Sequence, residues 1–174
     1  MDVSLVEHID DPDLLANVRA LLDLAYEGDF APEDWEHAVG GMHFLGFLDD
    51  ELIAHGAVVS RLMDFDHASI DVGYVEAIAV HPAHQGQGFG ATLMHAITEY
   101  CKSTYDVSML STDEHEFYAR LGWKQFMGES YVRTDDGVER SEDEDESLML
   151  LLPDTHLALL TAKVTCEDRA GDAW

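Results

Sequence analysis

The run Gln85-Gly86-Gln87-Gly88-Phe89-Gly90 has the composition of a backbone loop that binds an anion. Before it, Val75 to Val80 has the pattern of a buried strand, and Pro82 ends that strand because proline has no N–H to donate. After it, apolar residues recur at helical spacing over residues 93–100. The first N–H groups of a helix have no partner within it, and glycines let an anion approach the backbone closely. The pattern predicts a phosphate or pyrophosphate site, with a tight turn that binds no ligand as the alternative.

Two common nucleotide-binding motifs are excluded at this loop. No Gly-Lys-Ser/Thr follows it, so it is not a Walker loop, and Gly86, Gly88 and Gly90 do not fit the fingerprint Gly-x-Gly-x-x-Gly. The spacing Gln85-x-x-Gly88-x-Gly90, directly after a Val-rich strand, instead resembles the Gln/Arg-x-x-Gly-x-Gly/Ala signature of the GCN5-related N-acetyltransferases (GNAT). In that family this loop holds the pyrophosphate of acetyl-CoA.

The resemblance implies a co-substrate, a fold and a set of binding residues. Acetyl-CoA is the implied co-substrate. The implied fold is a single-domain α/β GNAT fold over residues 1–174, with a mixed, mostly antiparallel central sheet and helices on both faces. The residues implied to bind acetyl-CoA are Ala77, Ile78, Ala79, Val80, Gln85, Gly86, Gln87, Gly88, Phe89 and Gly90.

The charge of the chain limits the partners that it can bind. It has 36 acidic and 9 basic residues among 174, a formal net charge of -27. This argues against a nucleic-acid partner, because phosphate binding needs clustered Lys and Arg. The electrostatic field of this negative charge would attract a cationic substrate. The alternative is a solvated acidic surface adapted to high salt, which the scarcity of Lys also fits.

Other features of the composition indicate the compartment. No apolar run is long enough to span a membrane, and no signal segment is recognisable at the N-terminus. The two cysteines, Cys101 and Cys166, do not make a disulfide scaffold. We therefore expect a reduced, cytoplasmic protein without a membrane partner.

The elements that must position the loop follow from periodicity and turn residues. Strands before and after the helices imply a mixed α/β sheet with helices on both faces. We expect Asp11 and Pro12 to begin a helix that ends near Tyr26, and Asp64 to Asp71 to be a polar connection. Residues 135–146 are nearly all charged, so they predict a mobile, solvated loop. The further expected elements are strands at 3–9, 42–48, 52–62, 107–110, 124–127 and 148–152 and helices at 32–39 and 114–121.

Four further stretches resemble one branch of the family, the aminoglycoside 2'-N-acetyltransferases. They are Gly28-Asp29-Phe30 through Asp34-Trp35-Glu36-His37, Gly40-Gly41-Met42-His43, Gly73-Tyr74-Val75-Glu76 and the terminal Arg169-Ala170-Gly171-Asp172-Ala173-Trp174. Their order along the chain, ending on Gly-Asp-x-Trp, carries the resemblance. The acidic segment 135–146 and the Lys-poor surface depart from it.

The substrate class that the resemblance implies is a polycationic aminosugar, which needs several carboxylates and few cations. Asp29, Asp34, Asp172 and the terminal carboxylate of Trp174 are the candidate anions, and the rings of Trp35 and Trp174 could pack against sugar faces. The structural alternatives are a helix cap for Asp34, core packing for Trp35 and a turn residue for Asp29.

Chemistry sets further demands. The protonated amine must lose a proton before it attacks the thioester, and Glu76 on the central strand is the candidate base and substrate contact; the alternative is a solvent-facing carboxylate. A backbone N–H at Ala77 or Ile78 would bind the oxyanion if the strand bulges there, as it does in the family. By resemblance Tyr118 protonates the leaving thiolate and Ser111 contacts the substrate. Helix packing for Tyr118 and a cap for Ser111 are the alternatives.

The remaining reactive side chains fit no other chemistry. The ten histidines show no cysteine–histidine grouping with zinc spacing, so we expect no metal; His81 and His84 are expected to be ordinary loop residues. The resemblance implies direct attack of the amine and a homodimer. Two alternative functions stay open: a GNAT enzyme for another small cationic amine, and a non-catalytic module that binds acetyl-CoA or an aminoglycoside.

Overall fold

The computed structural model describes all 174 residues, which form strands, α-helices and short 3-10 helices. The strands are β1 Asp2–Val6, β2 Met42–Leu48, β3 Glu51–Phe65, β4 Ala68–Val80, β5 Val107–Ser111, β6 Lys124–Gln125, β7 Glu129–Thr134, β8 Gly137–Arg140, β9 Leu148–Leu151 and β10 Lys163–Glu167. The α-helices are α1 Pro12–Ala25, α2 Pro32–Ala38, α3 Phe89–Thr104 and α4 His115–Ala119. Short 3-10 helices span Pro82–His84, Glu142–Glu144 and Asp154–Thr161. None of the helices is long and apolar enough to cross a membrane.

The sheet is mixed, as predicted. Its main path runs β6-β9-β5-β4-β3-β10-β7-β8, and β2 pairs with both β1 and β3. Among the pairs with a defined register, only β4–β5 and β7–β10 are parallel. The mostly antiparallel α/β fold is therefore confirmed.

The chain divides into two compact units that share β3 and β4. The first comprises residues 1–59 and 75–100, and the second comprises 60–74 and 101–174. The first unit contains α1, α2, β1, β2, the start of β3, the end of β4 and most of α3. The second contains the rest of β3 and β4 and all elements from β5 to β10.

Helix α1 shows how local sequence builds the first unit. Asp11 caps it by accepting hydrogen bonds from the backbone N–H groups of Asp13 and Leu14, and Pro12 occupies the first turn. Its buried face carries Val18, Leu21 and Leu22, which pack with Leu45 of β2 and Ala79 of β4. The helix thus fixes the end of β4 that precedes the glycine-rich loop.

The β2–β3 hairpin is also where the sequence places it. Asp49 and Asp50 form the turn, and both have positive φ, at 50° and 66°. Two-residue hairpin turns of this kind favour Asp because its side chain tolerates the left-handed region. Strand β3 runs longer than predicted, however, and ends at Phe65.

The predicted polar connection from Asp64 to Asp71 is wrong, because these residues form the next hairpin. The turn is Asp66 at φ 52° with His67, and β4 begins at Ala68. Polar side chains occupy one face of the paired strands, where the carboxylate of Asp64 accepts a hydrogen bond from Ser69. Polar residues alternate here with buried ones such as Phe65, which is the pattern of a strand with one exposed face. The number of polar residues, taken without this alternation, indicates a loop.

The predicted loop over residues 135–146 is wrong as well. Strands β7 and β8 pair from Tyr131 with Arg140 to Thr134 with Gly137, and a 3-10 helix follows. Asp145 is half-buried, where its Oδ1 accepts from the backbone N–H of Ser130 at 2.8 Å and its carboxylate pairs with Arg140. A few specific ion pairs offset the like-charge repulsion that the composition indicated.

Other differences concern the ends of elements. Strand β1 stops at Val6 and β6 covers only two residues. Strand β10 is not among the predicted elements, because its apolar face consists only of Val164 and Cys166, both fully buried. Strand β10 pairs in parallel with β7 and antiparallel with β3.

Candidate active site

Strand β4 changes its backbone conformation directly after Glu76. Ala77 has φ of +53°, a left-handed value that is unfavourable for alanine and interrupts the regular strand. Glu76 itself is half-buried. The predicted irregularity of the strand is therefore present, next to the candidate base.

Two side chains bind the carbonyl groups of this irregular segment. Nδ1 of His55 lies 2.9 Å from the carbonyl oxygen of Ala77, and the hydroxyl of Tyr26 donates to the carbonyl oxygen of Ile78 at 3.0 Å. A left-handed non-glycine residue persists only where its surroundings fix it. His55 and Tyr26 supply that fixation.

Tyr26 also connects two of the predicted acids. Burial, followed by the negative charges of Asp34 and Glu76, raises the pKa of Tyr26 to about 12. The residue is 39% exposed, so solvent screens part of this effect. The phenol stays protonated through neutral pH and remains a donor. No sequence spacing relates Tyr26 to β4, so the sequence predicts Tyr26 only as the end of a helix.

The early acids lie where their structural alternatives also place them. Oδ2 of Asp34 accepts a hydrogen bond from the backbone N–H of Ala31 at 2.8 Å, which stabilises the start of α2. Asp29 is exposed in the turn after α1, and its backbone N–H donates to the carbonyl of Tyr26 at 3.0 Å. A carboxylate has about four lone-pair sites, so the hydrogen bond that Asp34 accepts from Ala31 leaves other sites for an ammonium ligand.

Trp35 packs against two buried histidines. Its ring stacks on that of His43, with centroids 5.7 Å apart and planes inclined by 27°, and lies 6.1 Å from the ring of His55. The guanidinium of Arg19 lies 5.4 Å from the Trp35 ring centroid. These contacts match the packing alternative, and the role of Trp35 as a platform for a sugar stays a prediction.

The glycine-rich loop has the open backbone that the sequence predicts. Gly86 and Gly88 have φ of 72° and 86°, and a Cβ added at either would meet no atom within 4 Å. The amide of Gln85 donates to the carbonyl of Val80 at 3.1 Å, and that of Gln87 donates to Ala83 at 3.1 Å, so the side chains turn back onto the chain. Helix α3 then begins at Phe89 and continues for 16 residues. An anion can reach this backbone because nothing covers it.

In the second unit, the two residues implied to act by resemblance differ in exposure. Tyr118 is 8% exposed within α4, and its ring meets those of Phe117 and Trp123 edge-on. Ser111 is exposed at the end of β5, and its hydroxyl donates to that of Ser147 at 3.0 Å. No side chain caps α4, so Ser111 does not have the capping role considered for it; the hydroxyl of Thr112 accepts from the backbone N–H of Glu114 in the turn before the helix.

The C-terminal segment folds back onto the second unit. Trp174 is 7% exposed, and its backbone N–H donates to Oδ1 of Asp172 at 3.0 Å. Burial, and then the charge of exposed Asp172, raises the pKa of Glu144. Asp172 therefore lies near other negative charges, among them Glu144, which is not one of the predicted site residues.

The predicted site residues divide between the two units. The first unit holds Asp29, Asp34, Trp35, Glu76, Ala77, Ile78, Ala79, Val80 and the loop Gln85 to Gly90. The second unit holds Ser111, Tyr118, Asp172 and Trp174. Within the first unit, the charges of Asp34 and Glu76 both raise the pKa of Tyr26, whose hydroxyl donates to the Ile78 carbonyl in the segment after Glu76.

A kinked strand that leads through an open glycine turn into a helix suits a bound acyl-CoA, and comparison with known proteins identifies the class. Residues 14–123 match the acetyltransferase (GNAT) family. The chain belongs to this family and is an acyltransferase.

Individual relatives narrow the comparison. The chain is 36% identical over 169 residues to an aminoglycoside 2'-N-acetyltransferase of Mycolicibacterium fortuitum, covering 94% of this chain and 87% of the relative. The GNAT family N-acetyltransferase YhbS of Escherichia coli, solved in complex with CoA, has a similar fold, with a TM-score of 0.67, 16% identity, and coverage of 94% and 89% of the two chains. A GCN5-related N-acetyltransferase from Kribbella flavida has a TM-score of 0.59 at 22% identity over 74% of this chain, which spans only 35% of that longer protein.

Proposed function

We propose that this protein transfers the acetyl group of acetyl-CoA to the 2'-amine of an aminoglycoside, by direct attack of the amine on the thioester. The observation that carries the proposal is the left-handed Ala77 between Glu76 and the glycine-rich loop. A candidate base, a candidate backbone donor and a candidate anion-binding turn thus follow one another along one continuous segment, which supports the proposal. The named activity of the Mycolicibacterium fortuitum relative supplies the substrate class.

Acetyl-CoA fits the residues of this segment. Gly86 and Gly88 have left-handed φ values and open space around them, so the backbone N–H groups of the loop and of the first turn of α3 can surround a pyrophosphate. Residues Ala77 to Val80 form the strand edge along which the rest of the acetyl-CoA molecule would lie. We assign pyrophosphate binding to Gln85 through Gly90.

The catalytic roles follow from the protons and the charge that the reaction must move. Glu76 accepts a proton from the substrate ammonium, directly or through water, which produces the nucleophilic amine. The N–H groups of Ala77 and Ile78 donate to the carbonyl oxygen as negative charge develops on it. Tyr118 supplies the proton that the departing thiolate requires, since a phenol is a competent donor at neutral pH. No residue forms a covalent intermediate in this scheme.

Substrate binding relies on carboxylates. We assign the ammonium groups of the substrate to the carboxylates of Asp29, Asp34, Glu76 and Asp172. Ser111 donates or accepts a hydrogen bond with a sugar hydroxyl, and the rings of Trp35 and Trp174 are the proposed apolar contacts for sugar faces. A net charge of -27 attracts a polycation over longer range.

We further propose that the protein works in the cytoplasm as a homodimer of single-domain subunits, with no metal and with no nucleic-acid or membrane partner. Light scattering after size-exclusion chromatography measures the oligomeric state directly. A monomer at all concentrations would reject the homodimer without affecting the proposed reaction.

A thiol-release assay on a matched pair of antibiotics tests the function. Gentamicin carries an amine at the 2' position, whereas kanamycin A carries a hydroxyl there. We expect rapid release of CoA thiol with gentamicin, with NMR placing the new acetyl group on the 2' nitrogen, and no acetylation of that position in kanamycin A.

Two results would overturn the proposal. Acetylation of a polyamine or of another aminosugar position, with the 2'-amine untouched, would favour a different amine substrate. Binding of acetyl-CoA or antibiotic in calorimetry without any release of thiol would favour a non-catalytic binding module.

A further inference from the structure

Two buried histidines form a hydrogen-bonded chain that ends at Ala77, the left-handed residue of β4. Nδ1 of His43 lies 3.1 Å from Nε2 of His55, and Nδ1 of His55 lies 2.9 Å from the carbonyl oxygen of Ala77. The two residues are 3% and 0% exposed. All three belong to the first unit, on the adjacent strands β2, β3 and β4.

The chemistry of the partners fixes the hydrogens in this chain. A carbonyl oxygen only accepts, so Nδ1 of His55 must carry the hydrogen. Burial lowers the pKa of His55 to about 4, and burial followed by the charge of His8 lowers the pKa of His43. Both rings are therefore neutral near pH 7, Nε2 of His55 is an acceptor, and Nδ1 of His43 donates to it. Every hydrogen bond in the chain points toward Ala77.

The hydrogen bond from His55 to the Ala77 carbonyl determines where the N–H of Ile78 points. The peptide between Ala77 and Ile78 is trans and planar, so the carbonyl of Ala77 and the N–H of Ile78 point in opposite directions. A carbonyl held toward buried His55 therefore directs the Ile78 N–H away from His55. The hydroxyl of Tyr26 holds the following carbonyl, that of Ile78. The carbonyl oxygens of Ala77 and Ile78, which lie on either side of the Ile78 N–H along the chain, are therefore both hydrogen-bonded.

The polarity of the pair has no packing explanation. Apolar side chains could fill the space beside Trp35 without the cost of burying four ring nitrogens. A buried hydrogen-bonded chain gives direction, which apolar packing does not.

We propose that His43 and His55 are positioning residues that hold the Ala77 carbonyl and thereby aim the Ile78 N–H at the carbonyl oxygen of the thioester. The inference deepens the proposed function and rests on it for the identity of the thioester. Neither histidine touches the substrate; His55 acts through the Ala77 peptide, and His43 acts through His55.

Substitutions at His55 and His43 separate positioning from simple packing. His55→Leu removes the Nδ1–H that donates to the Ala77 carbonyl, so the Ile78 N–H is no longer aimed at the thioester. We expect kcat to fall about 100- to 1,000-fold, the usual effect of losing one oxyanion donor. The dissociation constant of acetyl-CoA should change little, because the loop Gln85 to Gly90 is intact. His55→Asn keeps an N–H near the position of Nδ1 and should restore most of the lost kcat. His43→Leu should give an intermediate loss, since His55 keeps its donor but loses its orientation.

Two spectroscopic measurements do not depend on turnover. In the unliganded wild-type protein, histidine nitrogen NMR should show His55 as the neutral Nδ1–H tautomer at neutral pH. With acetyl-CoA labelled with carbon-13 at the thioester carbonyl, difference infrared spectra should show a lower carbonyl frequency on binding to wild type. That shift should be reduced in His55→Leu and recovered in His55→Asn.

Several outcomes would overturn the inference. They are an Nε2–H tautomer of His55, a carbonyl frequency unaffected by His55→Leu in a folded variant, or a loss of kcat that His55→Asn does not reverse. If His55→Leu does not fold, the wild-type tautomer and the Asn variant still decide. A shifted carbonyl without turnover of any aminoglycoside would reject the proposed function and leave the positioning role intact.

Discussion

Nη2 of Arg61 donates to the carbonyl oxygen of Ala173 at 2.8 Å, one residue before the end of the sequence. The same guanidinium donates through Nε to Glu167 at 3.1 Å and lies 4.8 Å from the ring centroid of Tyr74. Arg61 is 4% exposed, and a buried cation is stable only when it is paired and hydrogen-bonded. Arg61 therefore holds the segment from Glu167 to Ala173 in place.

This anchoring gives a first prediction about the tail. Deleting Asp172 to Trp174 removes the ring of Trp174 and the proposed anion Asp172, which contributes about 1.5–3 kcal/mol if it binds an ammonium, or roughly ten- to a hundredfold in affinity. We expect the KM for aminoglycoside to rise by at least that factor, while the dissociation constant of acetyl-CoA stays unchanged. Steady-state kinetics and calorimetry at fixed salt measure the two quantities, since screening alone alters an apparent KM.

Two companion proteins serve as controls for the deletion. Trp174→Ala keeps Asp172 but removes the proposed ring contact, so it should raise KM less than deletion does. Arg61→Met removes the anchor and leaves the tail's own residues intact, and its KM should also rise. If all three proteins keep the wild-type KM, the tail does not bind the substrate.

The second prediction concerns the glycine-rich loop. Gly88→Val adds a side chain at a left-handed position and obstructs the approach of a pyrophosphate to the backbone. We expect acetyl-CoA affinity to fall strongly in calorimetry. Gly40→Val is a matched control, because Gly40 has φ of 88°, next to 86° at Gly88, and equally open surroundings. Equal affinity in the two folded variants would remove the loop from its assigned role.

Several of these features follow from local sequence alone. The cap at Asp11, the Asp49–Asp50 turn and the glycine loop each depend on residues within a few positions of one another. Their conformations reflect intrinsic backbone preferences, so the sequence predicts both the elements and their ends.

The contacts that organise the site are of another kind. Tyr26 and Ile78 are 52 positions apart, His55 and Ala77 are 22 apart, and Arg61 and Ala173 are 112 apart. No propensity or spacing relates such residues, because only the register of the folded sheet brings them together. The charged strands β7 and β8 were missed for a related reason: composition averages over the individual pairs, such as Arg140 with Asp145, that stabilise them.

The third prediction addresses the proposed base. Glu76→Gln keeps the size of the side chain and removes its ability to accept a proton. We expect kcat/KM to fall about 100- to 10,000-fold, the range for a positioned general base, and to recover partly at high pH where the amine deprotonates without help.

Glu51→Gln makes the same change of charge at an exposed position at the start of β3. It should keep wild-type kcat/KM, which separates loss of the base from a change in the overall field. A Glu76→Gln variant with wild-type rates at every pH would show that Glu76 is only structural.

The last prediction uses the buried histidine to link pH with stability. The pKa of His55 is about 4 in the folded protein, against an ordinary value of 6.5 that applies to the unfolded chain. Between these values the unfolded chain binds a proton that the folded protein excludes, so the free energy of unfolding decreases as the pH falls. Each unit corresponds to about 1.4 kcal/mol, so the loss should approach about 2 kcal/mol by roughly pH 5.

Urea denaturation from about pH 7 to about pH 5, at constant ionic strength, measures this loss before most carboxylates titrate. His55→Asn cannot take up the proton, so its stability should decline less steeply over the same range. His95→Asn, which removes an exposed histidine from α3, should retain the wild-type slope. If the wild-type and His55→Asn profiles run parallel, the acid sensitivity comes from other groups and His55 is not held neutral by the fold.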